Sequence, residues 1–475
     1  MSAVTGTVND TDSAPDPEQE AKRRRTVTWV VSLATLGLIF DGYDLVVYGT
    51  VVPIFLRNPE EIGTVTPAVA GALGSYALIG VLVGALFAGG LADVLGRRKV
   101  MLTAYAWFAI GMGVTALMSS TVMFGLMRFL TGLGVGALVA TTGALVAEFA
   151  PPGKKNLANA ISYSGVPLGS LLAALLAILL LDAIGWRGMF LIGALPLVTL
   201  LPLAFLKMPE SPAWLASRGR HDQAREVSAR TGVPISAATA LSHGGAAVQG
   251  GRERAGFAGL FSRQYLFATI VLGLMSATGL VLVYMLNTWL PELMGRAGFS
   301  TQGSLAFLLV LNGGAVLGAL VASRIADRFG PKMVVAASFA IGGVAVLLLT
   351  LDLPLGLLLA FIAILGLGTS GTQILIYGFV ANYYRTNVRS AGVAWCAGFG
   401  RLGGVGGPLV GGLLVAAGLA LDSIFYTLAG LALFGTVLTL LVPMARRAKD
   451  IRSTPVEPTT TTPGPPAAVP QPAVP

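Results

Sequence analysis

The sequence predicts an all-α integral membrane protein of twelve transmembrane helices in two pseudo-symmetric six-helix halves. Three observations predict it. The 475 residues are 55% hydrophobic and only 11% charged, with mean hydropathy +0.78, whereas soluble domains carry about 25% charged residues. The apolar residues gather into twelve runs, each near the ~20 residues that span a bilayer as a helix. Positions in the first half recur in the second at a constant offset of 234. This composition excludes a large soluble enzyme. The 62 glycines suit close approach of helices in lipid.

The elements follow in chain order. Residues 1–26 are polar and end in Lys22-Arg23-Arg24-Arg25. Val27–Val52 is too long for a signal-peptide core, and two aspartates interrupt it, so it is expected to be a retained first helix. Runs at 68–91, 100–118, 121–147, 157–181 and 186–206 complete an N-terminal half, 27–206. A polar central loop follows at 207–263. Runs at 264–288, 303–322, 333–351, 354–380, 391–418 and 423–444 form a C-terminal half, 264–444. The tail, 445–475, ends in Pro- and Thr-rich sequence that cannot bury a core, and disorder is expected there.

Charge placement sets the orientation. With the N-terminus inside, 26 of the 31 Lys and Arg fall in inside segments. Three (Arg57, Arg187 and Arg296) fall outside, and Arg128 and Arg401 lie within apolar runs. That asymmetry predicts a multi-pass cell-membrane protein with both termini cytoplasmic. The net charge of +9 is therefore a membrane-topology signal, not a nucleic-acid footprint. Cys396 is the single cysteine, and His221 and His243 both fall in the central loop, which excludes a disulfide framework and a zinc site. No Gly-Lys-Ser/Thr phosphate loop suggests ATP drive. No cofactor is expected.

The repeat runs through polar positions. Gly84-Ala85-Leu86, Ala92-Asp93, Gly96 and Arg98 recur as Gly318-Ala319-Leu320, Ala326-Asp327, Gly330 and Lys332. Parallel six-helix repeats are a transporter architecture, with the substrate site between the halves.

Charges within spans are the candidates for chemistry, because each costs at least ~2.5 kcal/mol at mid-bilayer. Asp41 and Asp44 stand three apart on one face of the first helix. Together with Glu148 they are the candidate proton-coupling groups, since no histidine lies in a span. An anion beside such a carboxylate raises its proton affinity, and the reciprocal effect is the physical basis of symport. Arg128 either binds a substrate carboxylate bidentately or neutralises Asp41 or Asp44. Arg401, in the opposite half, is either a clamp across the cavity or a snorkelling gate residue. Glu148 reads equally as an inner gate pairing with Arg97, Arg98 or Lys154. Asp93, Arg97 and Arg98, with Asp327 and Arg328 in the second copy, form the expected cytoplasmic gate.

Gly89-Gly90-Leu91-Ala92-Asp93-Val94-Leu95-Gly96-Arg97-Arg98-Lys99 resembles the signature loop of the major facilitator superfamily, with Val94 where a basic residue is usual. Asp327-Arg328-Phe329-Gly330-Pro331-Lys332 resembles its second-half echo. Asp41-Gly42-Tyr43-Asp44 and Asn287-Thr288-Trp289-Leu290-Pro291 resemble the aromatic acid:proton symporter branch. Pro209-Glu210-Ser211-Pro212-Ala213-Trp214-Leu215 resembles a segment shared with sugar porters. Gly165-Val166-Pro167-Leu168-Gly169 departs from the drug-antiporter pattern. The resemblance implies the major facilitator fold and import of benzoate or a hydroxybenzoate by proton symport. Alternating access would rock 27–206 against 264–444, in one chain acting as a monomer in the lipid bilayer. An aromatic substrate calls for apolar and aromatic walls. Tyr163, Tyr284, Tyr377 and Trp395 are the candidate walls. Asn287, Asn312 and Gln373 are the candidate amides, although each is also explained by packing. The rivals are a proton-coupled drug or metabolite exporter, a sugar-type symporter, and a sensor that keeps a transporter shell.

Overall fold

A stretch of 41 residues, charged at its start and apolar beyond, forms a single helix whose charged end is self-paired. In the computed structural model, which describes residues 17–151, 153–235 and 257–443, α1 spans Pro17–Arg57. It starts within the stretch expected to be a tail. The reason is local: Glu18 pairs with Lys22 at 2.8 Å and Glu20 with Arg24 at 2.6 Å, both at i,i+4, which favours helix.

The other apolar runs also fold as helices. They are α2 (Pro67–Leu95), α3 (Arg97–Thr115), α4 (Thr121–Phe149), α5 (Leu157–Gly193) and α6 (Leu195–Lys207). The central loop carries α7 (Pro212–Ser217) and α8 (His221–Thr231). Then come α9 (Leu266–Arg296), α10 (Thr301–Phe329), α11 (Pro331–Leu348), α12 (Leu355–Tyr383), α13 (Thr386–Ala416) and α14 (Leu421–Leu441). The loop expected at 207–263 is thus partly helical, and residues 236–256, with His243, lie outside the described residues, as does the tail beyond 443.

Among the described residues, ten helices are long and apolar enough to cross a membrane. Two of the expected runs fall short for identifiable reasons. The first turn of α3 holds Arg97, Arg98 and Lys99. The run expected at 186–206 is divided: its first part continues α5 to Gly193 beyond a kink at Gly185 (φ +65), and a 3-10 turn at Leu195–Leu197 precedes the rest of α6.

Glycines set the helix spacing, and they do so twice. A Cβ on Gly80 of α2 would lie 2.1 Å from the Phe129 carbonyl of α4, and one on Gly314 of α10 would lie 2.1 Å from the Ala363 carbonyl of α12. A Cβ on Gly132 would meet the Ala77 carbonyl at 2.1 Å, and one on Gly366 the Leu311 carbonyl at 2.0 Å. Each pair is related by the 234-residue offset. Only the absence of a side chain allows such contact between helix backbones. In the loops, Gly96 (φ +103) and Gly330 (φ +88) make the turns that start α3 and α11, also at that offset.

The ends of the bundle differ. The basic end carries Arg97, Arg98, Lys154 and Arg385. The far end carries Arg57, Glu61, Arg187 and Arg296. Several of the described contacts between helices preceding and following the central loop lie toward the far end. A Cβ on Gly49 would touch the Asn287 carbonyl at 2.0 Å, and one on Gly71 would lie 2.6 Å from the Pro408 carbonyl. Ser75 Oγ donates to the Val405 carbonyl at 2.7 Å, and Gln302 Nε2 donates to Asp182 Oδ2 at 3.2 Å.

Candidate functional site

The first helix can bring two carboxylates into the protein because glycine lies between them. A Cβ on Gly42 would lie 1.9 Å from the Val166 carbonyl of α5, and one on Gly169 would lie 1.8 Å from the Ile39 carbonyl. That approach fixes α1 against α5 and directs Asp44 toward α4. There Arg128 Nη1 donates to Asp44 Oδ1. Both are buried, Arg128 at 3% and Asp44 at 5% exposure. The guanidinium carbon stands 5.2 Å from the Tyr48 ring centre and 5.9 Å from that of Phe190. Tyr48 is itself held, its hydroxyl donating to the Ala70 carbonyl at 2.6 Å. An ion pair this dry is expensive to break from one side only.

Asp41 is placed differently. It is half-buried and makes no hydrogen bond or ion pair among the described residues. The charges acting on it are Asp44 and Arg401. Tyr163, Tyr284 and Tyr377 belong to the same electrostatic neighbourhood: Arg401 acts on all three, and Asp41 on the first two. Arg401 is half-buried, and its one described bond is a long donation from Nη1 to the Val81 carbonyl at 3.4 Å. The site thus holds one closed ion pair, Asp44–Arg128, and, within electrostatic reach of one another, an acid and a guanidinium that form no ion pair among the described residues.

The candidate amides are partly committed to the scaffold. Asn287 Nδ2 donates to the Val283 carbonyl at 2.8 Å, and Asn312 Nδ2 donates to Asn287 Oδ1 at 2.9 Å. Gln373 Nε2 donates to Ser276 Oγ at 3.1 Å, while its Oε1 is buried without a partner among the described residues. Trp395 Nε1 donates to the Thr269 carbonyl at 2.9 Å, and its ring stacks on Phe399 at 5.1 Å. Tyr163 is 39% exposed, with its hydroxyl donating to the Val139 carbonyl at 3.0 Å.

Glu148 does not join Asp41 and Asp44. It lies twenty residues beyond Arg128 on α4, about 30 Å along the axis. It accepts from Arg97 Nε at 3.1 Å, and Arg97 Nη1 donates to Asp93 at 2.6 Å. The structure therefore places Glu148 in the basic-end cluster with Asp93 and Arg97. Arg98 stands beside it, its Nη2 donating to the Phe205 carbonyl at 2.6 Å. The second-copy pair is not assembled in this way. Asp327 and Arg328 are both exposed, and neither makes an ion pair among the described residues. At the repeat offset, Arg97 corresponds to Pro331 and Glu148 to Asn382, so the second copy lacks both partners.

Sequence reasoning missed the residues that tie the central loop to this cluster. Glu210 accepts from the Arg98 amide at 3.1 Å, so it caps the start of α3. Burial raises its carboxyl above the usual range, with those amide hydrogen bonds opposing. Trp214 Nε1 and Arg218 Nη2 both donate to the Asp93 carbonyl, at 2.7 and 2.6 Å. The signal was present in Pro209–Leu215, but no local rule says which helix start such a segment will cap.

Three comparisons bear on this arrangement. The sequence matches the Major Facilitator Superfamily over residues 34–316 and 301–472. It is 35% identical to the gentisate transporter of Corynebacterium glutamicum, over 85% of this chain and 83% of that protein. It is 32% identical to the benzoate transport protein of Acinetobacter baylyi, over 87% and 89%, and 31% identical to the 4-hydroxybenzoate transporter PcaK of Pseudomonas aeruginosa, over 88% and 93%. Among solved structures, the inward-open xylose transporter XylE of E. coli aligns with TM-score 0.70 at 17% identity, covering 89% of this chain and 98% of that one. At that identity the likeness speaks for the fold alone.

Proposed function

The chain belongs to the Major Facilitator Superfamily and to its aromatic acid transporter branch, and from that membership we propose that it imports a single-ring aromatic carboxylate with protons. It is a multi-pass membrane transporter, not an enzyme. In this reading there are twelve spans, counting α3 and the broken stretch 186–207 with the ten longer helices, in halves 27–206 and 264–444. The doubled glycine contacts at one offset support that count. The basic end faces the cytoplasm, which places both termini there, as the charge bias requires. One chain holds the whole site and acts as a monomer.

The observation that carries the mechanism is the contrast between the two carboxylates. Asp44 is neutralised by Arg128, whereas Asp41 stands open beside Arg401. With the site facing outward, Asp41 takes a proton, which leaves Arg401 free of a competing anion. The substrate carboxylate then pairs with Arg401, and its ring lies among Tyr163, Tyr284 and Tyr377. Proton and anion bind better together because each offsets the other's charge in a poorly solvated cavity. The loaded complex carries no added charge and reorients. Inside, Asp41 loses its proton to the more alkaline cytoplasm, competes for Arg401, and the acid leaves. One proton per monoanion moves no net charge, and a second adds about 2.3 kcal/mol of drive per 100 mV. Arg128 acts by holding Asp44 and not by touching substrate, since two aromatic rings enclose it.

The test is uptake of radiolabelled benzoate, 4-hydroxybenzoate, gentisate, gallate and xylose into proteoliposomes with an acidic exterior. The expected result is gradient-driven accumulation of an aromatic acid and none of xylose. Asp41→Asn is expected to abolish accumulation while retaining exchange of internal for external substrate. Accumulation that ignores both the gradient and this substitution would overturn the mechanism.

A further inference from the structure

A cavity of about 380 Å³ opens at the far end between α1, α9 and the start of α10. Its volume lies at the small end of the range for ligand pockets, which suits one ring. Pro53, Pro291, Phe299 and Leu305 supply apolar wall, and Phe299 is steadied by edge-on packing against Phe307 at 4.8 Å. The polar side chains lining it are one guanidinium and four hydroxyls, with no carboxylate among the described residues. Arg57 lines the cavity with its side chain 54% exposed. Its Nη2 donates to Glu292 at 3.1 Å, but Glu292 also accepts from Arg296 Nε at 2.9 Å. Two guanidiniums on one carboxylate leave one net positive charge at the rim. The first turn of α10 begins here, capped by Ser300, whose Oγ accepts from the Gly303 amide at 3.1 Å; the amides of that turn have no acceptor within their helix. Ser304 lines the cavity too. It is only 3% exposed, and its hydroxyl has no hydrogen-bond partner among the described residues. A buried hydroxyl left unpaired beside a surplus guanidinium is what a missing carboxylate would satisfy.

We propose that this cavity is a second, outer binding site for the transported acid, where Arg57 and Ser304 hold the carboxylate and the proline and phenylalanine walls hold the ring. The proposal rests on the aromatic acid reading of the central site. Captured there, the anion competes with Glu292 for Arg57, the contact joining α1 to α9. Loading the outer site thereby loosens the closure between the two helix groups at this end. Glu292 keeps Arg296, so no carboxylate is stranded.

The test uses the full-length purified protein with labelled benzoate, 4-hydroxybenzoate, gentisate and gallate as probes. At saturation the parent is expected to bind two equivalents of the acid that it transports. Arg57→Gln and Ser304→Leu, the second filling the cavity while leaving the Arg57–Glu292 pair in place, are expected to bind one. In proteoliposomes both variants should raise the KM for uptake about tenfold, the loss of one charge-assisted contact, with maximal rate within twofold. Benzamide, neutral and of the same shape, should not displace the outer equivalent. A parent that transports but binds a single equivalent, or variants with the parent's stoichiometry and KM, would overturn the outer site and leave the central reading intact. A parent that transports none of the four acids would overturn both.

Discussion

Asp44 and Asp41 differ by one turn of helix, yet the structure gives them opposite prospects on substitution. Asp44→Asn leaves Arg128 charged at 3% exposure, and removing one partner of a buried pair costs about 3–5 kcal/mol. Its thermal unfolding midpoint in detergent should drop sharply, with transport lost. Asp41→Asn, at a position without a partner among the described residues, should unfold at the parent's temperature and lose gradient-driven accumulation while keeping exchange. Equal midpoints for the two variants would contradict this assignment. At the far end, Glu61 accepts from Trp186 Nε1 at 2.7 Å and Arg187 Nη1 at 2.6 Å. The Trp186 hydrogen bond leads in holding its carboxyl below the usual 4.5, burial opposing. A depressed folded value means stability that is present above pH 4.5 and lost as pH falls through the folded value. Glu61→Gln should therefore be less stable than the parent at pH 7, with the gap closing in acid, measured as the midpoint against pH. The sequence identified both aspartates and Arg128. It left open which aspartate Arg128 would take, because their three-residue separation puts both on one face, and only the docking of α4 decides between them.

At the scale of the helix, the scaffold is duplicated and the chemistry is not. The glycine contacts of α2 with α4 recur in α10 with α12, but Asp41, Asp44, Arg128 and Arg401 correspond at the same offset to Met275, Thr278, Ile362 and Pro167. Packing was kept in both copies and charge in one. Gly80→Ala and Gly314→Ala, each forcing a Cβ to 2.1 Å from a carbonyl, should lower the unfolding midpoint by similar amounts. Gly430→Ala, where a Cβ meets nothing within 4 Å, should raise it slightly by restricting the unfolded chain. A harmless Gly314→Ala would refute the doubled contact. Helix edges were the least legible feature. α1 extends to Pro17 through side-chain pairing, α5 runs on past the expected end at 181 to Gly193 across a kink at Gly185, and the break comes instead at the 3-10 turn Leu195–Leu197.

Across the whole molecule, orientation is the claim most open to direct measurement. Cys396 is buried and is the single cysteine, so reporter thiols can be added to a Cys396→Ala background. In intact cells a membrane-impermeant thiol reagent should label Glu60→Cys at once. Ser217→Cys should react only after permeabilisation. The reverse pattern would invert the topology.

By itself the sequence determined the class, the internal repeat and the short inventory of charges within spans, and it supplied the charge bias on which the proposed orientation rests. These depend on composition, periodicity and spacing, which are properties of the chain alone. The tertiary structure decided the partners. It gave Arg128 to Asp44, left Arg401 within electrostatic reach of Asp41, moved Glu148 to a cluster about 30 Å away along its helix, bound the central loop to that cluster through Glu210 and Trp214, and left Ser304 without a partner among the described residues in a far-end cavity. Pairing depends on how helices distant in sequence are rotated against one another. That rotation is set by the summed packing of many glycine-lined contacts, which no local pattern encodes.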